Sequence, residues 1–239
     1  NYRSTQIILT AADSVIALNP KRPAKQMWTD RKDGPKVLIH EVRDERSEAQ
    51  EAIKTAENKR SDGIQFNEQV ILYRTNAQSR LFEEACMKAG VPYRIVGGVK
   101  FYARREVKDI LSYLHAILNP NDTISLLRII NTPSRKIGLT TINKMQEYAS
   151  NKSLTLWETL KEIKQVSIIN APTQDRIAKV TTLIEKYRKK ATEEVVSHLA
   201  LDLLDAIGME KWLRDDTQEG DERWENVQEL ISVMHKYDS

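Results

Sequence analysis

Cysteine is nearly absent: Cys86 is the only one in 239 residues. A single thiol cannot close an internal disulfide, so a reducing, cytoplasmic setting is expected. Four scattered histidines and one thiol give no zinc-type cluster, and no metal site is expected within the chain. No apolar run approaches the roughly 18 residues that a membrane span needs, which excludes an integral membrane helix. Aromatics are scarce at 6%, while apolar residues at 40% suffice for packed cores and charged residues at 30% suit solvated helix faces. There is little excess of either charge, 37 basic against 34 acidic side chains, so net charge neither demands nor forbids a nucleic-acid partner. An initiating methionine and a basic-then-apolar leader are also missing from Asn1-Tyr2-Arg3-Ser4, which leads to the expectation of a piece of a longer polypeptide.

A nucleotide-hydrolysing loop is missing too. It needs glycine, four residues, then Gly-Lys-Ser/Thr, and none of the eight glycines satisfies that spacing. Gly97-Gly98-Val99-Lys100 lacks both the interval and the following hydroxyl. Neither a Ser-His-Asp nor a Cys-His pairing is suggested. The chain by itself is expected to be inactive as an ATP hydrolase and to bind no nucleotide alone.

What is present changes character near Gly97-Gly98. Before that pair, β-type runs at 37–42 (VLIHEV), 69–73 (QVILY) and 93–96 alternate with helical stretches at 5–17, 45–59 and 79–89, with 26–29 as a possible further strand. This grammar predicts a partial parallel sheet with covering helices. After the pair, strand signals vanish. Val107, Ile110, Leu111, Leu114, Ile117 and Leu118 form a helical stripe ending at Asn119-Pro120, and Asp122 caps a helix carrying Ile124, Leu127 and Ile130. Helices are further expected over 140–149, 156–163, 174–190, 193–207 with Gly208 as stop, and 222–236. The fold class is therefore α/β plus all-α, an incomplete sheet unit followed by a helical one.

Two patches could carry chemistry. In 132–141 (TPSRKIGLTT), Arg135 and Lys136 precede a helix start at which Gly138 allows a close turn. Helix-terminal amides flanked by cations suit a phosphate oxygen and would position a duplex without reading its sequence. An ordinary helix connection with solvated charges is the other reading. In 73–80 (YRTNAQSR), Arg74 and Asn76 lie where a strand is expected to end and a helix to begin, a common ligand position in open sheets. Capping of that helix by Thr75 or Asn76 is the plainer role. Trp157, Trp212 and Trp224 could stack on bases but sit among helical apolar neighbours, which favours packing.

Four segments in order carry a resemblance. Asn1-Tyr2-Arg3-Ser4 resembles the end of the QNYRS motif of superfamily 1 DNA helicases of the UvrD/PcrA/Rep type. Residues 70–98 (VILYRTNAQSRLFEEACMKAGVPYRIVGG) resemble that family's next block, 101–110 (FYARREVKDI) its FYERxEIKD segment, and 126–138 (LLRIINTPSRKIG) its following helix and turn. The resemblance implies that 1–100 is part of a RecA-like domain, 2A, and that 101–239 is the helical insertion, 2B. It implies an ATP-dependent 3′ to 5′ helicase in the intact protein, with ATP and Mg2+ as cofactors and the phosphate loop elsewhere. Tyr2 would stack on adenine, and Arg3 would approach the γ-phosphate as a catalytic cation. Arg74 and Asn76 would touch single-stranded DNA. Arg135, Lys136, Gly138 and Thr141 would hold the duplex at a junction, and repair or replication proteins could dock on 2B. The family commonly has Gly-Ile-Gly where this chain has Lys136-Ile137-Gly138. The rival class is a non-catalytic DNA- or protein-binding module.

Overall fold

The computed structural model describes residues 3–19 and 27–238. The chain divides into two compact units, 1–48 and 49–239. In the first, helix α1 (Gln6–Ile16) buries Leu9 and is tied at its start by the Gln6 N–H donating to the Arg31 carbonyl at 2.8 Å. Helix α2 (Glu45–Ser61) runs across the boundary, its first turn carrying Glu45 and Glu48 and its last Lys59 and Arg60, as the helix dipole favours.

The second unit is helical. Helix α3 (Ser79–Ala89) ends on Gly90, whose φ of 69° is left-handed, the conformation that glycine takes without a Cβ penalty. Then come α4 (Arg105–Leu118), α5 (Thr123–Ile129), α6 (Leu139–Lys152), α7 (Leu156–Lys161), α8 (Ala171–Lys190), α9 (Val196–Ala206), α10 (Met209–Arg214) and α11 (Gln218–Met234). Side-chain caps set the starts of several. Asp122 accepts from the Ser125 N–H ahead of α5, Asn170 from Thr173 ahead of α8, and Thr155 and Glu158 form a reciprocal capping box on α7. One core runs from Phe101 to Met234, with α4 packed on α5, α8 and α11. Tyr113, Tyr187, Ile110, Ile177 and Met145 are among its fully buried side chains.

The partial parallel sheet is not formed: among the described residues there is no strand. Residues 37–42, 69–73 and 93–96 have no regular structure, and Leu38, Ile39, Val70, Leu72 and Val96 are exposed. Residue 26 of the possible further strand lies outside the described residues, and 27–29 is not a strand. The cause is pairing. A helix closes its hydrogen bonds within itself, whereas a strand needs a neighbour in register for every N–H and C=O, and apolar β-branched composition supplies none.

The helical half matches its periodicity more closely. Val107, Ile110, Leu114 and Ile117 are buried, while Leu118 ends its helix exposed. In α5 the expected Ile130 is buried and Leu127 packs partly buried against the core, but Ile124 is 82% exposed and Ser125, Leu126 and Ile129 take the inward places instead. Trp157 is buried and Trp212 and Trp224 pack against the same core, so all three serve packing.

Candidate nucleic-acid interface

The segment between α5 and α6 is held from within. The last carbonyls of a helix have no intrahelical partner. Here the Arg135 guanidinium reaches back to them, Nη1 donating to the carbonyls of Ile129 at 2.8 Å and Thr132 at 2.9 Å, with longer bonds to Ile130 and Pro133. Its Nη2 donates to the hydroxyl of Tyr113, which in turn donates to the Thr132 carbonyl. Burial pushes the Tyr113 phenol up against the pull of Arg135, so it stays a neutral donor. Asn131 completes the arrangement: its Oδ1 accepts from the N–H of Arg135 at 2.8 Å and of Ile137 at 3.1 Å. Ile137 is buried beneath the turn.

What the turn presents outward is different. Lys136 is exposed and has a φ of 58°, left-handed for a residue with a Cβ. Gly138 is exposed and extended, with a φ of −87°, so the residue that reverses the chain is Lys136 and not the glycine expected to do so. Gly138 is the N-cap of α6 and supplies no side-chain oxygen, and a Cβ placed on it would meet nothing within 4 Å. Its carbonyl accepts from the N–H of Thr141 and Ile142, and the first amides of the 14-residue helix, on Leu139 and Thr140, follow the exposed lysine by three and four residues. Leu139 is 72% exposed, and Thr141 is half-buried. The arrangement can hold an anion: oriented N–H groups, the positive end of a helix dipole and one mobile ammonium.

Arg74 and Asn76 lie in a second place, on the approach to α3. The Gln78 Oε1 accepts from the N–H of Arg74 at 2.9 Å and of Thr75 at 3.0 Å, so Gln78 caps this start from the far side of the 3-10 turn Asn76–Gln78. Arg74 is exposed. The Asn76 amide donates to Glu222 of α11 at 3.0 Å, at the edge of a cleft of about 200 Å³ lined by Gly98, Arg105, Glu219 and Arg223 among others. Arg3, in the first compact unit, is exposed, and its carbonyl accepts from Arg31 at 3.2 Å. Tyr2 lies outside the described residues.

The structure also brings together residues not singled out in the sequence. Arg104, 6% exposed, donates to Asn226 at 2.6 Å and Ser79 at 2.7 Å; Ser79 donates to Glu83, which accepts from the Phe101 N–H; and Asn226 donates to Glu106 at 2.7 Å. Burial pulls the Arg104 guanidinium below its ordinary value, while Glu83 and Glu106 hold it up. This buried polar hub joins α3, the start of α4 and α11, and so fixes where the 74–76 loop stands on the helical body. Its one sequence signal is the Arg-Arg-Glu run set directly before an apolar helical stripe.

Residues 1–239 match the family described as UvrD-like helicase C-terminal domain. The chain belongs to that family. Over all 239 residues this UvrD-like C-terminal domain is 40% identical to the ATP-dependent DNA helicase PcrA of Staphylococcus epidermidis and 39% identical to that of Staphylococcus aureus. The chain spans 33% of the length of these curated relatives. The resemblance read from the four ordered segments is thereby borne out. Among the described residues no helix is long and apolar enough to cross a membrane, and no group of three or more His, Cys, Asp or Glu could hold a metal ion.

Proposed function

We propose that this UvrD-like domain works within an ATP-dependent DNA helicase, placed in the cytoplasm, that moves 3′ to 5′ along single-stranded DNA. The observation that carries the reading is the exposed start of α6, where Lys136, Gly138 and the first helical amides offer a duplex phosphate a cation, room and donors at once. Thr141 adds a hydroxyl on the same turn. Phosphate contacts of this kind carry no base information, as suits a motor that must act on any sequence. Arg74 and Asn76 contact the single strand, so the chain holds both sides of a junction, with 101–239 as the duplex-holding part.

ATP supplies the driving reaction in the intact protein. In this chain, Tyr2 would hold the adenine face, and Arg3 would bring positive charge toward the γ-phosphate, where it stabilises the transferring group. The described residues lack the clustered carboxylates that suit magnesium. The sequence also lacks a phosphate loop, and this reading assigns both to the remainder of an intact helicase of the relatives' length.

The test is salt-dependent binding of a fluorescent duplex with a 3′ single-stranded tail. Affinity should fall steeply as salt rises, and Lys136→Glu should weaken it at least tenfold. Unchanged binding in Lys136→Glu would remove the α6 turn from the interface. ATP turnover by the chain on its own would refute the split of labour.

A further inference from the structure

The Arg135 side chain stands next to the proposed duplex contact but points the other way. Four carbonyls and the Tyr113 hydroxyl take its donors, and its own N–H is held by Asn131. Both Nη1 hydrogens and one on Nη2 are engaged by the protein, and turning the guanidinium outward would strip that cation from the carbonyls of Ile129 and Thr132, leaving them only the Thr132 N–H and the Tyr113 hydroxyl. Resting on the reading of 136–141 as the duplex contact, we propose that Arg135, with Asn131 and Tyr113, is a positioning clamp. It holds Lys136 in its left-handed conformation and aims the start of α6 at the duplex, without touching DNA itself.

The geometry gives each member a task. Asn131 Oδ1 bridges two N–H groups, of Arg135 and Ile137, that flank Lys136 on either side, which pins the backbone reversal from below. Arg135 ties that reversal to the end of α5. Tyr113, 1% exposed on α4, ties both to the core of the helical body. The fork of the guanidinium matters here: Nη1 serves the carbonyls while Nη2 serves the phenol, a rigid two-nitrogen arrangement that a single ammonium does not reproduce.

Two measurements on the 239-residue chain test this. The first needs no DNA: cleavage by a lysine-specific protease after Lys136. Arg135→Gln and Tyr113→Phe are expected to speed that cut severalfold, with helical circular dichroism retained. A cleavage rate equal to the parent's in both variants would overturn the clamp whatever the turn binds. Tyr113→Phe removes only a hydroxyl and serves should Arg135→Gln fail to fold. The second measurement is the slope of log affinity against log salt for a tailed duplex. Lys136→Gln should lower the slope by about one. Arg135→Gln should weaken binding at least threefold at every salt concentration while keeping the parent slope, and Arg135→Lys should not restore affinity. A merely structural arginine would lower Tm and leave affinity at 25 °C untouched, which would overturn the proposal. So would loss of one unit of slope in Arg135→Gln regained in Arg135→Lys, because that pattern marks a direct phosphate contact. If Lys136→Gln leaves both slope and affinity unchanged, the duplex reading fails and takes the aiming role with it, while the cleavage result still decides whether the clamp exists.

Discussion

Replacing Lys136 by glycine should make the protein more stable and a poorer DNA binder, two effects of opposite sign from one side chain. Lys136 sits at a φ of 58° and is exposed, so its removal leaves no cavity. A left-handed residue with a Cβ costs about 1–2 kcal/mol. Glycine gives back roughly 0.5–1 kcal/mol through the greater freedom of its unfolded chain. Mid-range values leave a net gain of about 0.75 kcal/mol. At about 2–4 °C per kcal/mol for a chain of this size, Tm should rise by about 1–4 °C. Calorimetry or circular dichroism would read that shift, with Ser153→Gly as a matched control. Ser153 closes α6 at a φ of 53° and is exposed, so it shares the strain but lies at the opposite end of the helix from the proposed contact. Both variants should gain Tm, whereas only Lys136→Gly should lose binding and about one unit of salt slope. A Tm unchanged or lowered in Lys136→Gly, with Ser153→Gly raised, would show that the lysine is not strained. Equal loss of binding in both would show that the ammonium is irrelevant.

Gly138→Ala should leave the stability within about 0.5 kcal/mol of the parent, because its φ of −87° suits any residue and its Cβ meets nothing. It should nonetheless weaken duplex binding by crowding the first amides of α6, as read by anisotropy. Arg104→Met should cost about 3 kcal/mol, since it takes the donor from Asn226 and Ser79 and the countercharge from buried Glu83 and Glu106, and so lower Tm by about 6–12 °C. Glu222→Gln should tighten single-strand binding at low salt more than at high salt, because it removes a carboxylate that now accepts from Asn76. Asp122, Glu158 and Asp238 are each held below their ordinary values, chiefly by hydrogen bonds from Ser125, Thr155 and Ser197 respectively. Depressed carboxylates stabilise the fold above their unfolded values near 4 and lose that contribution as pH falls through the folded ones. Tm should therefore drop as pH is taken from 6 to 3, and Asp122→Ala should lower the pH 6 value while flattening the descent.

The helical body was legible because helices advertise themselves locally. Asp122 ahead of α5, Gly90 after α3 and Gly208 after α9 mark ends that the structure keeps. Where the reading of α5 slipped, Ile124 and Leu126 were both available as inward residues in a seven-residue helix, too short for periodicity to choose between faces. The strand runs failed for a different reason: their hydrogen bonds depend on a second segment, so composition at 37–42 or 69–73 indicates affinity for a sheet without supplying the sheet. At the turn between α5 and α6, the sequence showed that two cations precede a helix start but not which way each points. Sequence put Arg135 and Lys136 side by side as equals, and only the carbonyls at the end of α5 distinguish the inward one from the outward one.

That distinction bears on why a lysine stands where the motif that the turn resembles has a glycine. Glycine would take the left-handed turn without strain but present no charge, leaving the helix amides alone to meet a phosphate. Lysine accepts about 1 kcal/mol of strain and adds an ammonium whose flexible stem reaches a phosphate without needing the backbone to come close. Such strain persists only where the surroundings hold it, and here Asn131 and Arg135 hold both flanks of the residue. Clamp and cation are then two halves of one device. Transplanting Lys136 into a relative that keeps glycine there should weaken that protein's turn unless its flanking asparagine and arginine are kept as well. A tolerated lysine in the absence of both would mean that the clamp does not underwrite the strained turn.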